Sequence, residues 1–340
     1  MSSGITKTDG MAFVDRVPWH HLGVKVEGDA MTAGQAIKAA GLDWTVNKEP
    51  IYWKAGWNKK NYIEIPNRKA IVREDTGEVF ATLSNQYEIL QNIASFDFFD
   101  SVIGTGEAAY HTAGSLFGGK KVWLLAKLNG QYKLDNGETL ESYVLLDNSH
   151  DGSTAMRMRL PPVRVVCSNT LAAATMKEAE FTARHTRSIT TKVNQARDLL
   201  GLNAAYMERF ISECNKIAQE AWDEDQMVGL TYDLLGLNND REINDQKGAQ
   251  GVAAESMVEL FTSGTGNVGK TKWDAYNAVT EYLDYVKGGR TKESVGATDS
   301  DAVSQRFDSG RYGDGRRMRE KAWKILVHRE NPKILSHHQK

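Results

Sequence analysis

The octapeptide GTGNVGKT, residues 264–271, satisfies the phosphate-loop spacing G-x-x-x-x-G-K-[ST] through Gly264, Gly269, Lys270 and Thr271. A working phosphate loop needs a buried strand before it, to deliver the glycines. It also needs a helix after it, whose N-terminal amides face the phosphate. KWDAYNAVTEYLDYV follows at once and supplies the helix. The strand is missing: GAQGVAAESMVELFTSG (248–264) places Val252, Ser256 and Leu260 at four-residue steps, with Ala253, Met257 and Phe261 beside them. That is helical spacing. No apolar run ending in aspartate follows at a distance suited to holding magnesium. The pattern predicts a glycine-rich interhelical loop, and leaves nucleotide hydrolysis at Lys270 as the third of three functional readings.

RMRLPPVRVVCSNTL (157–171) is chemically denser. Strand alternation puts Arg157 and Arg159 on one face, and Met158 and Leu160 on the other. Pro161-Pro162 bends or ends that strand, and Ser168-Asn169-Thr170 can cap the helical stretch LAAATMKEAE. Guanidinium stays charged and binds phosphate bidentately, so Arg157, Arg159 and Arg164 are candidate phosphate contacts. ARHTRSITTK (183–192) adds Arg184, His185, Arg187 and Lys192 among hydroxyl side chains. Such donors grip a sugar-phosphate backbone without reading its sequence. The plain alternative is a charged edge strand, protected from aggregation by its cations.

Trp57 and Tyr62 flank the NKK of residues 58–60, and aromatics beside cations can stack the bases of a single strand. Cys167 lies beside Val165 and Val166, and no spacing rule joins it to His185 as a base, so it reads as a buried structural thiol. The histidines at 20–21 and 337–338 are adjacent pairs rather than the i,i+4 arrangement of a helical metal site. No metal and no cofactor is expected.

The elements that must position these groups sit in a chain of 340 residues with 41% hydrophobic and 25% charged residues, an ordinary globular composition. Two cysteines are too few for a disulfide scaffold. No run of some 18 apolar residues indicates a membrane span, and MSSGITKTDGMAF lacks the charged leader and apolar core of a secretory signal. The expectation is a cytoplasmic protein with no membrane partner. The net charge of −2 is unevenly spread: residues 152–192 hold seven Lys/Arg against two acids, and 311–340 hold nine against three. A globally basic protein is excluded, but two local basic regions remain for anionic partners.

The first 170 residues read mainly as strands: 44–55, a hairpin over 61–84 turning at Asp-Thr-Gly, a second over 108–128 turning at Gly118-Gly119, then 141–148 and 155–171. Helical spacing interrupts over 88–103 and takes over after about residue 171, through 191–222, 226–236, 252–262, 272–287 and 315–327. Strands early and helices late, without alternation, predict an α+β fold: an N-terminal antiparallel β-meander with helices, then a mainly helical C-terminal half. The expected division is an α+β core at 11–190 and a helical region at 191–330, with 287–305 as a mobile loop.

PWHHLGVKV, PPVRVVCSNTL with ARHT, and WDAYNAVTEYLDY occur in that order, and SGRYGDGRRMREKAWKIL closes the chain. Over about residues 11–330 the sequence resembles the phage- and plasmid-encoded family of "phage/plasmid-like proteins", built around a domain of unknown function. The resemblance implies mobile-element biology and a replication or recombination setting, and it brings no catalytic residue set. The strands-then-helix first half is also similar, in coarse topology, to single-strand-annealing recombinases, which assemble as rings or filaments.

Three functions follow. The first is a nucleic-acid-binding protein, an oligomeric single-strand binding or annealing factor using Arg157, Arg159, Arg164 and the 184–192 segment for phosphates and aromatics for bases. The second is a non-enzymatic interaction protein that modulates a host factor, with ECNKIAQEAWDEDQ (213–226) as a docking surface. The third is the hydrolase already weighed.

Overall fold

The computed structural model describes residues 10–14, 24–28, 31–55, 61–103, 108–160, 162–164, 180–185, 192, 195–196, 198, 203–237, 248–287 and 314–328. The fold is α+β: a β-rich N-terminal region bearing helices, followed by a largely helical C-terminal half. The first part runs β1 (Met11–Phe13), β2 (Val24–Lys25), α1 (Ala33–Ala39), β3 (Val46–Ala55), β4 (Asn61–Arg73), β5 (Val79–Ser84) and α2 (Asn92–Ile103). It continues through β6 (Ala108–Leu116), β7 (Lys121–Lys133), β8 (Thr139–Ser149), β9 (Met156–Arg159), β10 (Pro162–Arg164) and β11 (Glu180–Ala183). Helices α3 (Asn203–Gln219), α4 (Glu224–Leu235), α5 (Ala249–Ser263) and α6 (Lys272–Glu281) follow, then a π-helical turn (Tyr282–Val286) and α7 (Asp314–His328). By internal contacts the chain divides into two compact units. One comprises Met1–Asn129, Tyr143–Leu160 and Glu178–Leu202; the other comprises Gly130–Ser142, Pro161–Lys177 and Asn203–Lys340.

In the larger sheet the strand order is β11-β9-β8-β7-β6-β1-β2, with β10 also paired to β8, and a separate sheet has the order β3-β4-β5. The β6–β7 hairpin turns through Phe117, Gly118 and Gly119, all at positive φ (59°, 73° and 102°). At Gly119 a Cβ would run into the Trp44 ring, so glycine is needed there for space as well as for conformation. Residues 142–150 are buried without alternation, as a strand covered on both faces requires. β9 lies opposite residues 145–147 of β8, and β10 opposite 140–142. β9 ends at Arg159 and β10 begins at Pro162, which pairs with Ser142, so Pro162 resumes the ladder rather than breaking it; Pro161 falls outside the described residues.

The helix expected over 88–103 begins only at Asn92. The preceding residues bond to other partners: Glu88 N–H donates to the His185 carbonyl, and the Leu90 carbonyl accepts from Asn148 Nδ2.

The second unit packs its helices around Phe210, Trp273, Tyr276 and Trp323. Residues 272–280 of α6 are buried on every side, marking it as the central helix. Burial pushes the thiol of Cys214, on α3, well above its ordinary pKa and leaves it unreactive. No helix among the described residues is long and apolar enough to cross a membrane.

Candidate nucleic-acid interface

The β3–β4 ribbon changes character along its length. At its base, residues 46–50 pair with 69–73, and β5 adds a third strand by pairing with 68–72. The register then jumps: Pro50 faces Lys69, but Tyr52 faces Glu64. β4 therefore carries extra residues, among them Pro66, which donates nothing to a ladder, and Asn67, held at φ 59°. Beyond this bulge, among the described residues, only two strands remain, residues 52–55 against 61–64.

Cross-strand partners share a face. Trp53 and Ile63 stand on one face of this arm, and Tyr52, Lys54, Tyr62 and Glu64 on the other. Both faces are open: Tyr52 is 53% exposed, Trp53 52%, Tyr62 63% and Ile63 48%. A lone two-stranded ribbon is marginal in water, and each of these half-exposed apolar side chains forgoes part of the about 1.5–3 kcal/mol that full burial contributes. Lys54 Nζ lies 5.4 Å from the Tyr62 ring centroid, so charge and ring are presented together. Residues 46–73 hold seven cations, including Lys59 and Lys60, against Glu49 and Glu64. Lys69 bonds Glu64 at 2.7 Å and Lys48 lies 3.6 Å from Glu88, whereas Lys54 and Arg68 enter no ion pair among the described residues. Of the two aromatics singled out in the sequence, Tyr62 is on this arm. Trp57, like Lys59 and Lys60, falls outside the described residues.

The base of the arm is held by a buried polar cluster. Gln91 brackets Val46, its Oε1 accepting from Val46 N–H at 3.0 Å and its Nε2 donating to the Val46 carbonyl at 2.7 Å. Asn92 Nδ2 donates to the Leu42 carbonyl at 3.0 Å, and its Oδ1 lies 2.9 Å from His150 Nε2. The His150 ring packs edge-on to Trp44, with centroids 5.4 Å apart, and stacks on Phe80 at 6.1 Å. Arg73, whose guanidinium lies 4.4 Å from the Trp44 ring centroid, donates to Asp75 and to the Gly118 carbonyl. That guanidinium holds the Asp75 carboxyl below its usual pKa, against the opposing effect of burial. Burial pushes His150 down to about 3, helped by the nearby His185, so the ring is neutral near pH 7.

The arginine-rich strand is arranged differently. Burial along β9 alternates, placing Met156 and Met158 inside and leaving Arg157 and Arg159 half-buried on the opposite face. Arg159 forms an ion pair with Asp147, a fully buried carboxylate on β8. Asp147 is also the register partner of Arg157 across β8–β9, and Glu180 is that of Arg159 across β9–β11. Arg184, directly after β11, is exposed, and Lys192 is half-buried. His185 is buried, its ring 5.0 Å from that of Tyr87. Burial lowers its pKa, with backbone groups of Glu88 and Thr154 opposing, so it too is neutral near pH 7. Arg164 is on β10, opposite Leu140. Arg187 and Cys167 lie outside the described residues.

GTGNVGKT joins α5 to α6, so a helix rather than a strand precedes it. Three of its amide donors already hold carboxylates. Thr265 N–H donates to Glu281 Oε2 at 3.1 Å, and Lys270 and Thr271 N–H both donate to Asp274 Oδ2 at 3.1 Å. Thr271 caps α6 in a capping box with Asp274. Gly266 and Gly269 take the positive φ values, 74° and 68°, that the turn needs. Among the described residues no group of three or more His, Cys, Asp or Glu could hold a metal ion.

Tyr52, Trp53 and Lys54 were missed by sequence reasoning. Their signal is the run IYWK, in which consecutive large apolar residues break the inside–outside alternation of a half-buried strand. His150 was missed as well; the polar run DNSHD immediately after the apolar YVLL marks it.

A family model described as "Domain of unknown function (DUF932)" matches residues 79–324, and the chain belongs to that family. No curated protein and no solved structure matches the chain significantly. The family match begins at β5, so the arm precedes it, while the β9 face and the helices through Lys324 lie within it.

Proposed function

For this DUF932 chain, we propose that the protein binds single-stranded nucleic acid and that the distal β3–β4 arm is its contact surface. One observation carries the reading: Tyr52, Trp53 and Tyr62 stand exposed on a two-stranded arm with Lys54 set over the Tyr62 ring. Stacking on an aromatic platform contributes about 1–3 kcal/mol per base and tolerates any sequence, because every base has a π-face. In a duplex those faces are already stacked, so exposed rings favour unpaired strands. Tyr52 and Tyr62 are diagonal neighbours on one face, a separation of about 7–8 Å between Cα atoms that leaves room for a base beside each ring.

The resemblance to phage- and plasmid-encoded proteins, and the coarser likeness to strand-annealing recombinases, supports a role in handling single strands during replication or recombination. The role is non-enzymatic, and it accommodates assembly of several copies along one strand. Arg184 adds a phosphate contact at the surface, while Arg157 and Arg159 serve mainly to balance the buried Asp147 beside them.

Fluorescence anisotropy of a labelled single-stranded oligonucleotide, with its duplex as competitor, tests the proposal. Binding of the single strand that weakens steeply with salt, and that the duplex fails to displace, is expected. No binding at low salt would overturn it and leave the arm as a docking site for a host protein.

A further inference from the structure

Helix α7 has two unlike faces. Trp323 stacks on Phe210 with ring centroids 5.0 Å apart and meets Tyr276 edge-on at 4.9 Å, and Ala322, Ile325 and Leu326 are buried alongside it. The buried Arg319 pairs with Asp284 of the π-helical turn. These contacts fix the helix about its axis. On the outer face Asp314, Arg317, Lys321, Lys324 and His328 are all exposed, at alternating steps of three and four residues. The three cations therefore form a row about 10 Å long at 1.5 Å per residue, with neighbouring Cβ atoms about 5–6 Å apart.

The counter-charges nearby leave most of this row uncompensated. Asp314 accepts from Arg317 at 3.3 Å in a largely exposed pair that water and salt screen. Glu320 is taken up by Arg316 at 2.8 Å. Lys321 donates to the carbonyl of Asp233, near the C-terminus of α4, which leaves its charge at the surface. Lys324 enters no ion pair among the described residues.

From this row we infer that α7 is a phosphodiester-binding track, on which Arg317, Lys321 and Lys324 receive the backbone phosphates of a nucleic-acid strand. The inference rests on the nucleic-acid reading above and adds a surface in the second unit. No large hydrophobic side chain is exposed on α7, so the row lacks the apolar anchor that dominates protein–protein contacts. Regularly spaced point charges suffice for a backbone contact, which needs no base readout.

The test is the salt dependence of binding of a labelled oligothymidine by the full chain. The unmodified protein is compared with R317Q/K321Q/K324Q and with R317Q/K324Q, which spares the Lys321 bond to Asp233. Each lost phosphate contact removes about 0.7 from the slope of log K against log salt. The slope should therefore fall by about 2 in the triple variant and about 1.4 in the double variant, with the melting temperature of the double variant unchanged. An unaltered slope in a folded double variant overturns the track and leaves the arm reading standing. Failure of the unmodified chain to bind overturns both. Saturable binding of labelled polyglutamate, lost in the double variant and unaccompanied by oligothymidine binding, would overturn the track in favour of an acidic protein partner.

Discussion

The β3–β4 arm and the β9 arginine face make an instructive pair. Each lies in a segment with seven cations against two acids, residues 46–73 and 152–192. By charge alone the two are equivalent. In the structure they are opposites. On the arm, Lys54 stands in water over an exposed ring, with more aromatics on both faces. On β9, Arg159 is committed to the buried Asp147, and Arg157 faces the same carboxylate across the ladder. Local charge therefore says little about binding until it is known which cations answer an acid inside the protein. A cation that neutralises a buried carboxylate works for the fold, and removing it leaves a costly unpaired charge.

That contrast can be broken most forcefully at Arg159. Arg159→Ala should destabilise the protein by about 3 kcal/mol, because it strands the Asp147 carboxylate in the interior. Urea unfolding measures the loss. A change of less than about 0.5 kcal/mol, the range of ordinary surface substitutions, together with weakened strand binding, would reverse the roles assigned to the two regions. The converse experiment is Tyr52→Ala/Tyr62→Ala. Two lost stacking contacts amount to about 2 kcal/mol or more, hence about 30-fold weaker binding. Stability should hardly move, since both rings are exposed.

The base of the arm provides a subtler test through pH. With a folded-state value of about 3 against an ordinary 6.5, His150 binds its proton more readily in the unfolded chain. Its contribution to stability is therefore complete above about pH 6.5 and declines as pH falls from there toward about 3. The buried His185 acts in the same direction. Thermal unfolding should show a shallow loss just below neutrality that steepens on further acidification, and His150→Asn should flatten the curve. An unchanged curve in a folded variant would place the acid sensitivity elsewhere. The smallest expected effects are at the glycine-rich loop, where donors are also spoken for. Thr271→Ala should cost about 1 kcal/mol by removing a helix cap. Lys270→Ala should leave stability unchanged, and titration with a fluorescent ATP analogue should show no difference between Lys270→Ala and the unmodified chain.

Much of the fold could be read from residue periodicity. The hairpin turns at Gly77 and at Gly118-Gly119, and the helices near 226–236, 252–262 and 315–327, follow from local rules that need no tertiary knowledge. The interhelical character of GTGNVGKT was legible for the same reason, because Val252, Ser256 and Leu260 repeat at helical steps. The site was less legible. Arg157 and Arg159 share a face as alternation requires, but their pairing with Asp147 depends on strand register, which a single sequence does not state. His185 looks like a surface cation among arginines, yet is buried against Tyr87. Tyr62 was visible beside NKK, whereas its partners Tyr52 and Lys54 are brought to the same face only by the bulge at Pro66 and Asn67.

The most direct test of the arm as the strand-binding surface is photo-crosslinking with a single strand carrying 5-bromodeoxyuridine, followed by mass-spectrometric mapping of the adducts. Adducts are expected at Tyr52, Trp53 and Tyr62. Adducts confined to peptides containing Arg157 and Arg159, with the arm unmodified, would contradict it.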